Sequence, residues 1–280
     1  MVLKHFSLVA ATVLTVSTAL GQISTAPEKS ALSTEQVAQL QAYQHAPMRR
    51  AGVAPKVSDG TAESYNWGGY AVEGTDFTDV KGSWIVPTVT CGESPNAYVS
   101  IWVGIDGYSS STVEQTGIGV ACEHKTPVYY AWYEFYPNPT QVISTITVNP
   151  GDAFTAEVSY SSSTLEFTTT VTDVTSGETY STSAAVSGAD RSSAEWIVEA
   201  PSAPTGILNL AAFGKTHLGE VYTSATNNQA TDSTKSGVIK KFGSAAEKIT
   251  QIDWVGYIEQ TSSPLASDGA SFYTTWVEYN

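Results

Sequence analysis

Several acidic side chains that could activate a water molecule lie in short runs that alternate in the manner of β-strands. Glu195 and Glu199 both occur in the run Ala-Glu-Trp-Ile-Val-Glu that begins at residue 194. Because neighbouring side chains of a strand point to opposite faces, the two glutamates share one face, and Ala194, Trp196 and Val198 form an apolar face suited to a core. Each glutamate could act as a general base or simply face solvent, the usual position of a strand glutamate.

Two further stretches place polar groups beside aromatic ones. In residues 128–136, the alternate residues Tyr130, Trp132 and Glu134 fall on one face, which predicts a polar and aromatic surface with a single acid. Asp106 and the glycine after it form a typical turn pair, and Gln115 follows shortly afterwards as an ordinary polar residue. Composition alone does not show which of these residues has a catalytic role.

Signatures of the common hydrolases are absent from the sequence. It contains no Asp-Thr/Ser-Gly of the pepsin type, no Gly-x-Ser-x-Gly and no His-Glu-x-x-His. The histidines after residue 57, His124 and His217, are far apart and do not have the spacing of a zinc site. We therefore predict neither a metal site nor a cofactor.

The elements that must position these residues are predicted to be strands. From about residue 65 the sequence is rich in Thr, Val, Tyr, Ser, Trp and Gly, in short alternating runs that Gly, Pro, Asn or Asp separate. This pattern is typical of a single all-β sandwich or barrel. The predicted strands cover residues 64–72, 79–85, 97–105, 128–136, 154–161, 164–173, 194–199, 206–210, 252–257 and 272–278.

The first residues predict where the protein is located. Residues 1–21 combine Lys4 and His5 with an apolar run that ends in Ala-Leu-Gly, which indicates a secretory signal peptide. No later stretch approaches the roughly 20 apolar residues of a membrane helix. We therefore expect a secreted, extracellular protein.

The next segment has the composition of a removable propeptide. Residues 22–56 are rich in Gln, Ala, Glu and Lys and predict a short helix, capped by Ser33 or Thr34 and running to about Tyr43. Prolines and arginines then indicate a loop that ends near residue 56. The catalytic domain is accordingly expected to span residues 57–280.

Charge separates the same parts of the chain. Residues 57–280 hold eight of the 13 basic and 25 of the 27 acidic residues, a formal charge of −17. Such a surface repels nucleic acid and anionic membranes, so neither is expected as a partner. Protonation of carboxylates in an acidic medium would relieve the self-repulsion. Nothing in the sequence indicates more than a monomer.

The chain has two cysteines, Cys91 and Cys122. In a secreted protein they predict one disulfide. It would close a loop of about 30 residues and stabilise the fold by roughly 3–4 kcal/mol.

Six short blocks lie in order between residues 66 and 199. They are NWGGY from Asn66, GSWIVP from Gly82, WVGIDG from Trp102, QTG from Gln115, AWYE from Ala131 and AEWIVE from Ala194. Together they resemble the glutamic peptidases, or eqolisins, and several blocks in order are far more specific than any one alone. The resemblance implies a lectin- or glucanase-like sandwich of two antiparallel sheets and a removable propeptide.

The resemblance also implies a catalytic dyad of one glutamine and one glutamate. Position within the blocks assigns these roles to Gln115 and Glu199, with Glu195, about 13 Å further along the strand, as the runner-up for the acid. An ionised Glu199 would take a proton from an attacking water and return it to the leaving amine. The Gln115 amide would hold the water and donate to the developing oxyanion.

Five more residues match family positions in or beside the substrate cleft. Glu134 and Asp106 would hold the dyad by hydrogen bonds, whereas plain packing is as good an interpretation as substrate contact for each tryptophan. The five residues are Trp67, Trp102, Asp106, Trp132 and Glu134.

Two other classes of function are compatible with the residues alone. A glycoside hydrolase on a lectin-like sandwich would need two essential acids and no essential amide. A carbohydrate-binding module would use the tryptophans for stacking and need neither Gln115 nor Glu199. The resemblance favours a secreted acid endopeptidase that acts on polypeptide substrates and binds its own propeptide.

Overall fold

The structure, a computed structural model, describes residues 1, 32–52, 62–92 and 96–277. The predicted signal peptide, apart from Met1, lies outside the described residues, as do residues 22–31 and 53–56 of the predicted propeptide. The described residues from 32 onward fall in one of the two units of the chain, Ala31–Asn280. Within the described part, no helix is long and apolar enough to cross a membrane.

Runs rich in Thr, Val and aromatic residues form strands throughout the described part, as β-branched and aromatic side chains favour. The strands are β1 (Ala62–Ser64), β2 (Trp67–Glu73), β3 (Asp79–Ile85), β4 (Ala97–Ile105), β5 (Val113–Glu123), β6 (Thr126–Tyr136), β7 (Gln141–Ile143), β8 (Ala153–Ser161), β9 (Glu166–Asp173), β10 (Thr179–Ala184), β11 (Ser193–Glu199), β12 (Ser202–Ala203), β13 (Gly206–Ile207), β14 (Asn209–Leu210), β15 (Lys215–Leu218), β16 (Gln229–Thr231), β17 (Ser236–Val238), β18 (Ala246–Ile252), β19 (Ile258–Ser262) and β20 (Phe272–Trp276). The helices are α1 (Thr34–Leu40), α2 (Glu220–Thr223) and a 3₁₀ segment, Ile239–Ala245.

Strand pairing builds two layers. The first has the order β1-β18-β2-β11-β4-β5-β6-β7, and all its pairs except β1–β18 are antiparallel. The second has the order β17-β16-β3-β8-β9-β10 and is antiparallel throughout. Strands β19, β20 and β15 join β18 of the first layer to β3 of the second. The predicted all-β sandwich is confirmed.

The core lies between the layers and follows the alternation of the strands. Val99, Ile101 and Val103 of β4 point into it, as do Trp196 and Val198 of β11. The apolar face predicted for residues 194–198 is therefore confirmed. The opposite face of the first layer carries a second apolar cluster that includes Trp67, Trp102 and Trp132.

One predicted strand is wrong and one strand of the first layer was missed, each for an identifiable reason. Strand β5 was not predicted, because its glycines and polar residues give a weak pattern, yet β4 and β6 both pair with it along its length. The strand predicted at residues 252–257 is wrong, because the carboxylate of Asp253 accepts hydrogen bonds from Val255 N and Tyr257 N and closes a turn there. The predicted strand 206–210 divides into the two short strands β13 and β14.

The N-terminal helix and the disulfide match expectation more closely. Helix α1 begins after Ser33, whose hydroxyl accepts from Gln36 N while the Gln36 side chain accepts from Ser33 N, a capping box. It ends at Leu40, three residues before the predicted Tyr43. Cys91 and Cys122 form a disulfide with a Cα–Cα distance of 5.4 Å, which ties the chain before β4 to the end of β5.

Candidate active site

The polar residues of the first layer lie on the face opposite the core, in rows that cross the strands. Glu199 of β11 is level with Ser100 of β4, and Gln115 of β5 is level with Glu134 of β6. Gly119 of β5 and Tyr130 of β6 continue the row of Glu199 and Ser100. A Cβ on Gly119 would come within 2.3 Å of the Tyr130 ring.

The candidate acids and the amide are fully buried. Gln115, Glu134, Glu195 and Glu199 are each 0% exposed. The interpretation that Glu195 and Glu199 face solvent is therefore wrong, and the surface predicted for residues 130–134 is covered. What covers part of this face is the chain's own N-terminal segment, which crosses it from Tyr43 onward.

His45 of that segment is the contact that joins Gln115 to Glu199. Its Nδ1 lies 2.9 Å from Glu199 Oε2, and its carbonyl oxygen accepts from Gln115 Nε2 at 2.5 Å. Its main-chain N–H donates to Glu134 Oε2 at 2.9 Å. The ring stacks on Trp132 with centroids 3.5 Å apart and an interplanar angle of 7°.

Trp102 and Glu134 form hydrogen bonds with the two candidate residues, Glu199 and Gln115. Trp102 Nε1 donates to Glu199 Oε2 at 2.9 Å, and the ring of Trp102 meets Trp67 edge-on at 5.0 Å. Gln115 Nε2 also donates to Glu134 Oε2 at 3.0 Å. The predicted neighbours Trp67, Trp102, Trp132 and Glu134 therefore all gather around Gln115 and Glu199.

Burial controls the protonation of this cluster. It raises the pKa of Glu199 well above its ordinary value, to which the nearby Glu134 carboxylate adds, and it raises the pKa of Glu134 in the same direction. Burial also lowers the pKa of His45 well below its ordinary value. Desolvation disfavours every charged form here, so the contact between His45 and Glu199 is best described as a hydrogen bond between neutral groups.

Asp106 lies apart from this cluster. Its carboxylate accepts from Ser110 Oγ, from Arg191 N and from both N and Oγ of Ser192. These bonds tie the loop after β4 to the residues just before β11. Asp106 thus fastens the end of β4 to the start of β11, the strand that carries Glu199. Its hydrogen bonds in the described part of the chain do not reach Gln115 or Glu199.

Glu195 shares a row with Gln115 but is separated from it by Gly104. Neither of its carboxylate oxygens has a hydrogen-bond partner in the described part of the chain. Burial raises the pKa of Glu195 well above its ordinary value, so the neutral acid is favoured.

Sequence reasoning missed two residues of this region. His45 was set aside with the propeptide, and no pattern around it points to the dyad. Asn66 was noted only within the NWGGY block, although its fully buried amide holds the main chain of the segment: Nδ2 donates to Ala46 O, and Oδ1 accepts from Arg49 N. The one available signal for Asn66 was that a polar asparagine directly precedes a run of strand residues that become buried.

The residues present can do general acid–base chemistry on a peptide group. The Gln115 amide N–H donates to the carbonyl oxygen of His45, and the Glu199 carboxyl group contacts the side chain of the same residue. Among the described residues, no cluster of three or more His, Cys, Asp or Glu side chains could hold a metal ion.

Comparison with protein families places the chain in a known group. The model of the peptidase A4 family matches residues 65–259, more than half of the chain. The chain belongs to the peptidase A4 family. The expected resemblance to glutamic peptidases is thereby confirmed.

Two curated relatives are similar in sequence to this member of the peptidase A4 family. Aspergillopepsin-2 of Aspergillus niger is 32% identical over 183 residues, which cover 57% of this chain and 64% of the relative. Scytalidopepsin B of Scytalidium lignicola is 35% identical over 145 residues, which cover 50% of this chain and 53% of the relative. The matched part thus spans less than two thirds of either relative.

Solved structures of the peptidase A4 kind share the fold. Scytalido-glutamic peptidase with a transition state analog inhibitor superposes with a TM-score of 0.62 at 24% identity, covering 76% of this chain and 98% of that one. Aspergilloglutamic peptidase from Aspergillus niger gives 0.54 at 28% identity, covering 65% of this chain and 99% of that one. These likenesses support the sandwich architecture.

Proposed function

We propose that the protein is a secreted acid endopeptidase that hydrolyses peptide bonds with a water molecule activated by Gln115 and Glu199. The observation that carries the proposal is the position of His45. Its carbonyl oxygen lies 2.5 Å from Gln115 Nε2, and its ring nitrogen Nδ1 lies 2.9 Å from Glu199 Oε2. A polypeptide therefore fits this face with a carbonyl on the amide donor. Family membership supplies the class of reaction.

In the proposed mechanism, ionised Glu199 removes a proton from water as the water oxygen bonds to the peptide carbonyl carbon. Gln115 Nε2 donates to the resulting oxyanion. When the tetrahedral intermediate collapses, the carbon–nitrogen bond breaks and Glu199 returns the proton to the leaving amine. Trp102 Nε1, at 2.9 Å from Glu199 Oε2, orients the carboxylate through both steps.

Acid conditions suit this pair for a physical reason. The Gln115 amide does not titrate, so its donor is present at any pH. Burial under the N-terminal segment raises the pKa of Glu199. Once the segment leaves and solvent enters, the pKa of Glu199 falls towards its ordinary value, and the carboxylate becomes available as a base in mildly acidic medium.

We further propose that residues 22–56 form a propeptide that blocks the site before activation. His45 occupies the position between Gln115 and Glu199 that the water needs. The segment's net positive charge and the formal charge of −17 on residues 57–280 would add attraction near neutral pH. Acidification would protonate His45 and surface carboxylates, release the segment, and allow the enzyme to remove it.

The mechanism is tested by digesting a denatured protein at acid pH with the wild type, Gln115→Ala and Glu199→Gln, in the presence of pepstatin. We expect pepstatin-insensitive cleavage by the wild type, a loss of about 10²–10³-fold in Gln115→Ala and of about 10²–10⁴-fold in Glu199→Gln. Cleavage that survives either substitution would refute the dyad. Glu195→Gln is the matched control, because it makes the same change at another buried glutamate of the same strand.

A further inference from the structure

We propose that the cleft binds at least eight consecutive residues of a polypeptide substrate through the substrate's main chain. The cationic side chains at the fourth and fifth positions after the cleaved bond then bind to Trp254 and Tyr108, respectively. This rests on the proposed function, because residues 44–51 of the chain's own N-terminal segment are the guide to the path of a substrate. The extended site lies on both sides of the proposed dyad.

The register of the path follows from the amide of Gln115. Its Nε2 donates to the carbonyl oxygen of His45, so this carbonyl lies where the reacting carbonyl of a substrate would lie. The bond addressed is then the one between His45 and Ala46. Arg49 and Arg50 occupy the fourth and fifth positions after it.

Before the addressed bond, the path is anchored by strand-like pairing with β12. Gln44 N donates to Ser202 O and Ser202 N donates to Gln44 O, each at 2.9 Å, an antiparallel bridge. This pair of bonds involves only main-chain atoms. It would therefore accept any residue except proline at the position of Gln44.

After the addressed bond, Asn66 holds three main-chain groups. Its Nδ2 lies 3.3 Å from both Ala46 O and Pro47 O, and its Oδ1 accepts from Arg49 N at 2.8 Å. Ser64 Oγ donates to the same Oδ1 at 3.0 Å and fixes the orientation of the amide. One asparagine thus clamps the segment over four residues.

The path then continues as an added strand beside β1. Tyr65 N donates to Arg49 O at 2.8 Å, and Ala51 N donates to Glu63 O at 3.0 Å. An isolated antiparallel bridge joins Arg50 to Ser64. Strand addition of this kind binds the main chain and leaves side chains free to select the sequence.

Two aromatic rings receive the consecutive arginine side chains. The Arg49 guanidinium lies 5.8 Å from the ring centroid of Trp254, and that of Arg50 lies 4.5 Å from Tyr108. Trp254 is 58% exposed at the turn after β18, where its ring packs against Tyr65 at 3.9 Å. A large exposed tryptophan supported from one side is a platform for a cation, and the acidic charge of residues 57–280 favours the same ligand.

The test uses the full-length protein, incubated at acid pH until hydrolysis begins, on a mixture of denatured proteins, with every cleaved bond mapped by mass spectrometry. We expect Arg and Lys to be enriched about twofold to fivefold at the fourth and fifth positions after the cut. Trp254→Ala should abolish the enrichment at the fourth position only, and Tyr108→Leu at the fifth only. Val221→Ala, another exposed apolar residue, is the control and should change neither.

A second measurement needs no hydrolysis. In the intact chain at neutral pH, amide hydrogen exchange at Met48, Arg49 and Ala51 should be about twofold to fivefold faster in Trp254→Ala than in the wild type or Val221→Ala, with Gln44 unchanged. If no bond is cut while exchange responds this way, the hydrolytic function fails and the extended site stands. Cleavage without enrichment, or enrichment that Trp254→Ala leaves intact, would overturn the extended site.

Discussion

His45 connects the described part of the N-terminal segment to both members of the proposed dyad, Gln115 and Glu199. Its ring stacks on Trp132 and its Nδ1 contacts Glu199 of β11, while its main-chain N–H donates to Glu134 of β6. Burial lowers the pKa of His45 and raises that of Glu199. Both shifts favour a neutral imidazole while the segment is bound, so protonation of His45 weakens its binding.

The sign of the pH effect follows from the lowered pKa of His45. A group with a lowered pKa in the docked state stabilises docking above its ordinary value of 6.5, and this contribution is lost as pH falls through the docked value. In His45→Ala that dependence disappears and a hydrogen bond of about 1–2 kcal/mol is lost, so we expect activation at pH 6 to be about tenfold faster than in the wild type. The measurement is the time course of hydrolysis after transfer from neutral pH.

The control for this prediction is His124→Asn. His124 is exposed in the turn after β5 and has a positive φ of 49°, which asparagine tolerates. It should activate like the wild type. Equal rates in His45→Ala and the wild type would show that His45 does not govern release of the segment.

Strands β4, β5 and β6 form the platform under the site, and their close contact depends on glycine. A Cβ on Gly117 of β5 would lie 2.1 Å from Ile101 O and 2.7 Å from Trp102 Cβ. Real side chains do not approach so closely, so any larger residue must separate β5 from β4. Such a shift would move Trp102 away from Glu199, to which it donates.

We expect Gly117→Ala to lower the free energy of unfolding by about 1–3 kcal/mol, the usual cost of overpacking, or more. Urea denaturation monitored by tryptophan fluorescence measures it. Gly92→Ala is the matched control, because a Cβ there would meet no atom within 4 Å. A Gly117→Ala protein as stable as the control would contradict the packing described for β4 and β5.

The molecule as a whole buries several carboxyl groups away from solvent. Burial raises the pKa of Glu114, Glu134, Glu195 and Glu199 well above the ordinary value of 4.5. Groups with raised folded-state pKa values stabilise the fold fully below about 4.5, and that contribution is lost as pH rises through the folded values. These four buried carboxyl groups therefore favour the folded state more in acid than at neutral pH.

Glu195→Gln should remove one part of this dependence. We expect its free energy of unfolding to exceed that of the wild type by about 1–3 kcal/mol at pH 7, because a neutral amide avoids the buried charge, and to match it at pH 4. Chemical denaturation at both pH values measures the difference. The exposed Glu220→Gln serves as the control. A wild type that gains stability from pH 4 to pH 7 relative to Glu195→Gln would contradict the assignment.

How much of the structure could be predicted from the sequence differs between parts of the chain. The alternation in residues 194–199 predicted which side chains enter the core, because a strand places every second residue on one face. The two cysteines sufficed to predict the disulfide. Strand β5 escaped prediction, because its glycines serve contacts with β4 and Tyr130 that no local pattern reveals.

Local order along the chain settled the fold class, the apolar faces, the cysteine pair and the start of helix α1, since each depends on neighbours or on residue type. The six blocks predicted catalytic roles for Gln115 and Glu199 by resemblance, whereas composition alone did not distinguish among the acids; the two roles stay a prediction. Only the tertiary structure decided that β11 lies between β2 and β4 and that the glutamates are buried. It also decided that Asn66 and Trp254 contact the N-terminal segment that contains His45. Main-chain hydrogen bonds and burial depend on residues that are distant in sequence. Main-chain atoms are the same in almost every residue, so the local sequence does not show which groups will pair or be covered.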